Sequence, residues 1–207
     1  MNRRDAISRV ALIMGGAVIG ADYFLSGCKS TSKKVSDLFT EEHVAFLNEV
    51  ADTILPTTSS PGAKAANVGH FMAVMVQDCY TPEDQATFIE GLSKLDDASQ
   101  KQFSKKFMEL TPAQRTDLLV SLDKEQKAYT AERNKEVDAD KAKHLADPDY
   151  KFAGKTNHYF RMMKELTLLG YFTSEIGATK ALRYVAVPGR YDGCVPYKKG
   201  DKAWATS

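Results

Sequence analysis

The sequence lacks the short motifs that carry most cofactor chemistry. It has no Gly-rich phosphate-binding loop, no Gly-x-Ser-x-Gly nucleophile turn and no Cys-x-x-Cys-His haem attachment site. Its three cysteines lie far apart, so they do not form the cluster that an iron–sulfur centre needs. These absences argue against a small enzyme that works alone, and they predict neither a catalytic residue nor a cofactor in this chain.

The few histidines are also scattered. His43, His70, His144 and His158 are the only four, and none is paired with another His or with Glu at a ligand spacing. No metal site is therefore predicted. His70, near the start of an apolar segment, is interpreted as a partly buried structural group. For His158, at the head of the last helix, a structural role is favoured over a position near a partner's active site.

An excess of charge of either sign is missing as well. The formal net charge is +1 for the whole chain, and residues 28–207 hold equal numbers of acidic and basic side chains. Nucleic-acid-binding domains usually carry a clear basic excess. No nucleic-acid partner is predicted.

Residues 1–27 have the pattern of an export signal. Arg3 and Arg4 make the start basic, and a short apolar run follows from Val10 to Leu25. Asp22 interrupts that run, which favours a signal over the alternative, a membrane-spanning anchor that stays.

Leu25-Ser26-Gly27-Cys28 resembles the bacterial lipobox, in which the cysteine becomes the mature N-terminus and carries acyl chains. The Arg3-Arg4 pair resembles a twin-arginine signal, the export route for folded proteins. Residues 28–38, rich in Ser, Thr and Lys, are interpreted as a tether. The expected location is therefore the periplasmic side of the cell envelope, with a lipid anchor in the membrane at Cys28.

Residues 39–207 predict an all-α fold, a single-domain helical bundle with an irregular, extended C-terminal tail. Apolar residues recur at helical spacing, and no stretch alternates like a strand. Three threonines have the sequence context of helix N-caps. The helical segments expected are Thr40 to Pro56, Val68 to Cys79 as the central helix, Thr81 to Leu95, Ser99 to Leu110, Thr111 to Asp123, and about Thr156 to Thr179. Lys124 to Lys143 is either a solvated helix extension or a mobile loop.

The last helix and the tail behind it are expected to be a partner interface. The helix has apolar residues on more than one face, and the tail is too rich in Gly and Pro for regular structure. Aromatic side chains concentrate at the centres of interfaces. The predicted interface residues are Tyr171, Phe172, Glu175, Tyr184, Pro188, Gly189 and Tyr191.

Two side-chain pairings are expected in this region. Glu175 lies in an apolar segment, where a buried carboxylate needs a partner, and Arg183 or Arg190 is a candidate. Cys79 and Cys194 make an even pair in an exported protein, which favours a disulfide between them. The alternative is a buried thiol at Cys79 and no bridge.

With these residues in view, the chain resembles the small subunit of gluconate 2-dehydrogenase, called subunit 3 or gamma. Ala51-Asp52-Thr53-Ile54-Leu55-Pro56 with Pro61-Gly62-Ala63 carries one part of the likeness. Gly170-Tyr171-Phe172-Thr173-Ser174-Glu175, with Tyr184, Pro188-Gly189, Tyr191 and Gly193-Cys194, carries the other.

The resemblance implies an accessory subunit without catalytic residues of its own. Its partner would be an FAD-containing dehydrogenase subunit of the glucose–methanol–choline type, which oxidises a sugar or sugar acid, and a cytochrome subunit is a further expected partner. The small subunit would aid maturation, export and anchoring of that flavoprotein. Two alternatives stay open from the residues alone: a free-standing envelope lipoprotein that acts as a binding or structural module, and a self-sufficient oxidoreductase.

Overall fold

The computed structural model describes residues 38–144, 150, 154–187, 189–190 and 193–205. This part of the chain is all-α, as predicted, and the only extended pairing in it is an isolated bridge between Arg183 and Trp204. Its five α-helices are α1 (Glu41–Ile54), α2 (Val68–Cys79), α3 (Pro82–Phe103), α4 (Pro112–Lys143) and α5 (Tyr159–Thr173), with a 3₁₀ helix at Phe107–Glu109 and a π-helix at Gly177–Ala181. The predicted signal at 1–27, with Arg3 and Arg4, and the predicted lipidation site Cys28 lie outside the described residues.

The three threonine N-caps form as the sequence predicts. The hydroxyl oxygens of Thr40, Thr81 and Thr111 each accept a hydrogen bond from a backbone N–H three residues further on, at 3.2, 3.3 and 3.4 Å. Gln114 completes a capping box, because its side-chain oxygen accepts from the backbone N–H of Thr111 at 3.1 Å. These local contacts fix the starts of α1, α3 and α4.

Helix α5, rather than α2, occupies the centre of the bundle. It packs against α1, α2, α3 and α4, whereas α2 packs mainly against α1 and α5. The prediction of α2 as the central helix is therefore wrong. Residues His70 and Val74 on α2 are exposed, while eight residues of the stretch Tyr159–Tyr171 on α5 are buried. The core of the fold thus forms around the segment that the sequence marked as an interface.

Two helix boundaries differ from the prediction in the middle of the chain. Helix α3 continues without a break through Ser99 to Phe103, so the segment from Ser99 to Leu110 is not a separate helix. Ser104 ends α3 in a left-handed conformation, with φ at +56°. The chain then turns into the 3₁₀ helix, whose Phe107 is fully buried and donates its N–H to the carboxylate of Asp96 at 2.9 Å.

Residues 124–143 are the solvated helix extension, one of the two alternatives for this segment. They continue α4 as regular helix beyond its last buried residue, Gln126. The extension holds the connection before α5 through two hydrogen bonds to backbone carbonyls. Tyr129 donates its hydroxyl to Thr156 at 3.0 Å, and Arg133 donates to Lys155 at 2.7 Å.

Candidate functional site

The end of α5 is a sharp break rather than a continuous helix. The sequence predicts helix to about Thr179, but α5 ends at Thr173 and Ser174 is extended. The Ser174 hydroxyl donates to the Tyr171 carbonyl at 2.6 Å and accepts from the N–H of Gly177 at 3.0 Å. Ser174 therefore closes one helix and starts the π-helical turn Gly177–Ala181, which re-aims the chain.

Glycine is required at position 177 because of this break. A β-carbon at Gly177 would lie 1.8 Å from the carbonyl oxygen of Tyr171, far inside van der Waals contact. The same carbonyl already accepts from Ser174. The two residue types at 174 and 177 thus follow from one backbone feature, the crowded carbonyl of Tyr171.

The two segments that carry the family resemblance contact each other in the fold. The Tyr171 hydroxyl donates to the carbonyl of Pro61, in the loop that follows α1. Next to it, a β-carbon at Gly62 would come within 2.6 Å of the backbone nitrogen of Thr57 and 2.8 Å of the Asp52 carboxylate. Two sequence motifs more than a hundred residues apart therefore form one packed structural unit.

Tyr171 belongs to the core and not to an interface. Only 4% of it is exposed, and its hydroxyl already has the Pro61 carbonyl as a partner. The prediction of Tyr171 as an interface residue is wrong. Its side chain lies on the face of α5 that meets the loop after α1, whereas the neighbouring Phe172 points to the outer side.

The outer face of α5, which we define as Leu168, Leu169 and Phe172, is apolar and open to solvent. Phe172 is 39% exposed, and both leucines are exposed to a similar degree. The three positions lie on one side of the helix because they are one and four residues apart. This face gives the first half of the candidate interaction surface.

The second half is the C-terminal loop, residues 184–202, which closes at its base. Arg183 donates its N–H to the carbonyl of Ala203 at 2.8 Å, and Ala205 donates back to Arg183 at 2.9 Å. The Arg183 guanidinium lies over the Trp204 ring, 4.4 Å from its centroid. We call Arg183, Lys202 and Trp204 the loop base; the guanidinium also donates to the Lys202 carbonyl at 3.0 Å.

Exposed apolar side chains are concentrated in these two segments. Thirteen large hydrophobic residues are exposed in the described residues, and nine of them fall between 168 and 204. Val187 and Tyr197 are the most exposed of all, at 81% and 77%. The nine are Leu168, Leu169, Phe172, Tyr184, Val185, Val187, Val195, Tyr197 and Trp204.

The remaining predicted interface residues are distributed unevenly. Tyr184 and Gly189 are exposed, the latter with φ at +75°, while Pro188 and Tyr191 lie outside the described residues. Glu175 is exposed and needs no buried partner, so that part of the prediction is wrong. The helix break at Ser174 turns this carboxylate outward.

Sequence reasoning missed the residues that organise the tail. The sequence suggests Arg183 only as a partner for Glu175, and it does not single out Tyr197 or Trp204. The pairing of residue 183 with residue 204 is long-range, so no local sequence pattern predicts it. The signal that was available is compositional: Trp204 is the only tryptophan of the chain, and it lies in a segment rich in Tyr and Lys.

Cys79 and Cys194 are both exposed, and Cys79 is a free thiol. The predicted disulfide between them is therefore not formed in this structure. The alternative, a buried thiol at Cys79, is not what the structure has either. Helix α2 ends at Cys79 on the outer side of the bundle, so core packing does not draw the two sulfurs together.

His158 has the structural role favoured from the sequence. It is buried at the start of α5, where its Nδ1 accepts the N–H of Phe160 at 3.2 Å. Its ring stacks on Tyr159, with centroids 4.5 Å apart, and its Nε2 lies 3.7 Å from the carboxylate of Glu125. Burial lowers the pKa of His158, and the Glu125 carboxylate opposes that shift.

The other histidines are peripheral. His70 is exposed, so its interpretation as a partly buried group is wrong. His43 accepts the backbone N–H of Thr40 at 3.5 Å as part of the α1 cap, and His144 stacks on Tyr150 with centroids 3.9 Å apart. Among the described residues, no three His, Cys, Asp or Glu side chains are placed to hold a metal ion.

Two carboxylates bind the helices of the bundle together. Glu49 on α1 forms ion pairs with Lys64 and with Arg115 on α4, and these two cations hold the pKa of Glu49 below its ordinary value. Asp123 on α4 is held by Lys127 and by Lys164 of α5, which likewise lowers the pKa of that carboxyl. Both networks join helices, and their titration bears on stability.

The described helices offer no segment that is both long and apolar enough to cross a bilayer.

Comparison with known proteins gives one match, a family model described as gluconate 2-dehydrogenase subunit 3, over residues 41–189. That span runs from the first residue of α1 into the C-terminal loop and covers well over half of the chain. No curated protein and no solved structure matches.

Proposed function

Because the chain belongs to the gluconate 2-dehydrogenase subunit 3 family, we propose that it is the accessory, non-catalytic subunit of an FAD-dependent dehydrogenase that oxidises a sugar or sugar acid. FAD is held by the large partner subunit, of the glucose–methanol–choline type. A cytochrome subunit is a further partner. The small chain aids the maturation and export of the flavoprotein and anchors it at the membrane.

The observation that best supports this proposal is the uneven distribution of exposed apolar residues. The outer face of α5, the C-terminal loop and Trp204 of the loop base together hold nine of the thirteen such residues in the described part of the chain. Soluble proteins rarely leave large contiguous apolar patches open, and those that do often bind another protein there. A subunit that works only within a complex has a reason to expose them.

Phe172 and Tyr184 are the interface residues that we carry forward from the sequence. Each is exposed and aromatic, and large aromatic side chains contribute much of the binding free energy at interface centres. Tyr171 is withdrawn from this set because it is buried. Leu168 and Leu169 replace it, since they share the open face of α5 with Phe172.

The N-terminal residues supply the membrane and export parts of the proposal. Cys28, within the lipobox-like Leu25-Ser26-Gly27-Cys28, carries the acyl chains that hold the complex on the periplasmic side of a membrane. Arg3 and Arg4 direct export through the twin-arginine route. That route suits a flavoprotein that has already folded around FAD, because the partner then crosses the membrane with its cofactor in place.

The experiment is a co-purification with a cofactor readout. A tagged copy of the complete chain, expressed in its own host, is expected to retain a flavoprotein, which the visible absorbance of its bound FAD would reveal. Replacing Phe172 and Tyr184 together by Ala is expected to release most of that flavin, since hot-spot truncations each cost about 2 kcal/mol or more.

Val120→Ala is the matched control. Val120 is also an exposed apolar residue, half open to solvent, but it lies on α4 away from the candidate surface in sequence. Its loss is expected to leave the retained flavin unchanged. A wild-type preparation that carries no flavin would refute the proposal and favour a free-standing envelope lipoprotein; equal retention by all variants would refute the interface residues alone.

A further inference from the structure

Positive charge is concentrated near the C-terminus, although the whole chain is almost neutral. Between residues 177 and 205 the sequence has six lysine or arginine residues against two aspartates, while the formal net charge of all 207 residues is only +1. The rest of the chain therefore carries a slight negative excess. A count over the whole sequence conceals this local difference in charge.

The lysines of the C-terminal loop are not neutralised within the described residues. The carboxylate of Asp201 accepts a hydrogen bond from the backbone N–H of Lys198 at 3.0 Å rather than from a lysine ammonium group. Lys198 and Lys199 are exposed, and neither forms an ion pair with any described carboxylate. Their ammonium groups are open to an acidic group from outside the chain.

The same loop also holds exposed apolar residues. Tyr197 directly precedes the lysine pair, and Val187 is the most exposed large hydrophobic residue of the described chain. An exposed aromatic side chain followed directly by two cations suits a partner surface on which an apolar recess lies beside carboxylates. Charge complementarity of this kind speeds association and selects among partners.

The loop base holds the two ends of the loop together before any partner binds. The backbone of Arg183 pairs with both sides of Trp204, and its guanidinium covers the indole ring. The Lys202 ammonium donates to the carbonyl of Lys180, which ties the end of the loop to the π-helix. A loop that is already closed loses less conformational entropy on binding than an open tail would.

We propose that the C-terminal loop docks, through Tyr197 with Lys198 and Lys199, on an acidic surface of the FAD-containing dehydrogenase subunit. The inference rests on the proposed function, which supplies the partner. A protein is favoured over an anionic membrane because the family is that of a dehydrogenase subunit and because exposed apolar residues occur both in the loop and on the outer face of α5.

The test measures binding of the complete chain to the purified FAD-containing subunit by biolayer interferometry. Wild-type binding is expected to weaken about tenfold or more between roughly 0.05 and 0.5 M NaCl, because salt screens exposed charges. The double variant Lys198→Glu with Lys199→Glu is expected to bind about tenfold or more weakly at the lower salt and to lose most of the salt dependence.

Lys101→Glu with Lys105→Glu is the matched control. Both lysines are exposed near the end of α3, and reversing them changes the net charge by the same amount. Binding by this control is expected to stay within about twofold of wild type. Tyr197→Ala is expected to weaken binding at both salt concentrations, since its contribution is apolar. Helical circular dichroism checks each fold, and a Lys→Gln pair at 198 and 199 replaces the reversal should that variant unfold.

Each other outcome has a distinct meaning. Wild-type binding that charge reversal at Lys198 and Lys199 does not alter overturns this inference but leaves the proposed function standing. No binding by the wild type at either salt concentration overturns both. Vesicles of phosphatidylcholine with phosphatidylserine form a separate arm: vesicle binding that the reversal abolishes, with the flavoprotein complex unaffected, overturns the inference in favour of a membrane surface.

Discussion

Tyr171 and Phe172 are adjacent aromatic residues on α5, and the structure predicts opposite consequences for replacing them with Ala. Tyr171 is 4% exposed and hydrogen-bonded to the carbonyl of Pro61, whereas Phe172 is 39% exposed and has no such partner in the described fold. Tyr171→Ala is therefore expected to act on stability. Phe172→Ala is expected to act mainly on the partner.

The magnitude for Tyr171 follows from its burial. Removing a large buried aromatic side chain costs about 3–5 kcal/mol, because apolar surface is lost and a cavity remains. For a chain of this length, each kcal/mol lowers the melting temperature by about 2–4 °C. Tyr171→Ala is thus expected to melt about 6–20 °C below wild type.

The hydroxyl has its own part in that cost. Tyr171→Phe keeps the ring but leaves the carbonyl of Pro61 without its donor, which costs about 1–3 kcal/mol when the acceptor is buried. Phe172→Ala, the matched control, loses only partly buried surface and is expected to cost about 1 kcal/mol or less. The expected order of melting temperatures is wild type, Phe172→Ala, Tyr171→Phe and then Tyr171→Ala.

Thermal unfolding followed by circular dichroism at roughly 222 nm measures this order, since helices give most of the signal there. Flavin retained in the co-purification measures the second effect. Equal melting temperatures for Tyr171→Ala and Phe172→Ala would show that Tyr171 is not part of the core. The reasoning would also fail were Tyr171→Ala to release the flavoprotein while melting like wild type.

Three further changes probe other parts of the fold. Burial lowers the pKa of His158 from its ordinary 6.5, so the unfolded chain takes up this proton more readily as the pH falls below 6.5, and stability is lost. His158→Asn keeps a cap acceptor that does not titrate, and urea unfolding at about pH 7.5 and 5.5 should show a smaller difference than in wild type. Glu49→Gln is expected to cost about 1.5–3 kcal/mol at neutral pH by removing the charged partner of Arg115. Because the pKa of Glu49 is lowered, that deficit should shrink as the pH falls below its ordinary 4.5, which unfolding titrations at several pH values will check. Gly177→Ala forces a β-carbon against the Tyr171 carbonyl and is expected to cost about 1–3 kcal/mol in chemical denaturation; no loss would mean that the break at the end of α5 can relax.

The helix starts were predictable because their causes are local. Thr111 and Gln114 are three residues apart and bond each other, so the pattern alone contains both partners. The end of α5 was not predictable in the same way. Ser174 and Thr179 look compatible with helix, and the break depends on a hydroxyl that bonds backward to Tyr171 and forward to Gly177.

Which aromatic residues of α5 are exposed could not be predicted from the sequence, for a different reason. A helix that is apolar on most sides does not say which side is covered, and α5 is covered by four other helices. Periodicity places Tyr171 and Phe172 on neighbouring faces but gives no ranking between them. The ranking comes from the loop after α1, whose Pro61 carbonyl lies where the Tyr171 hydroxyl can reach it.

The tail shows the same limit at longer range. Its Gly and Pro content correctly predicted irregular backbone, but nothing near Arg183 in the sequence points to Trp204. Contacts closed over about twenty residues depend on the path of the chain between them. The predicted disulfide has the same limit. It rested only on the even number of cysteines, Cys79 and Cys194, whereas in the structure helix α2 ends with the free thiol of Cys79 on its outer side.

Because of the position of Trp204, the intrinsic fluorescence of the protein reports on the loop base and not on the helical core. The chain has one tryptophan, and that indole lies under a guanidinium at the base of a loop rather than in the helical core. Intrinsic fluorescence therefore reports whether residues 183 and 204 are together, while the amide signal reports the helices. If the tryptophan emission changes on heating before the helices melt, the loop opens at a lower temperature than the helical core unfolds, and no attached dye is needed to observe it.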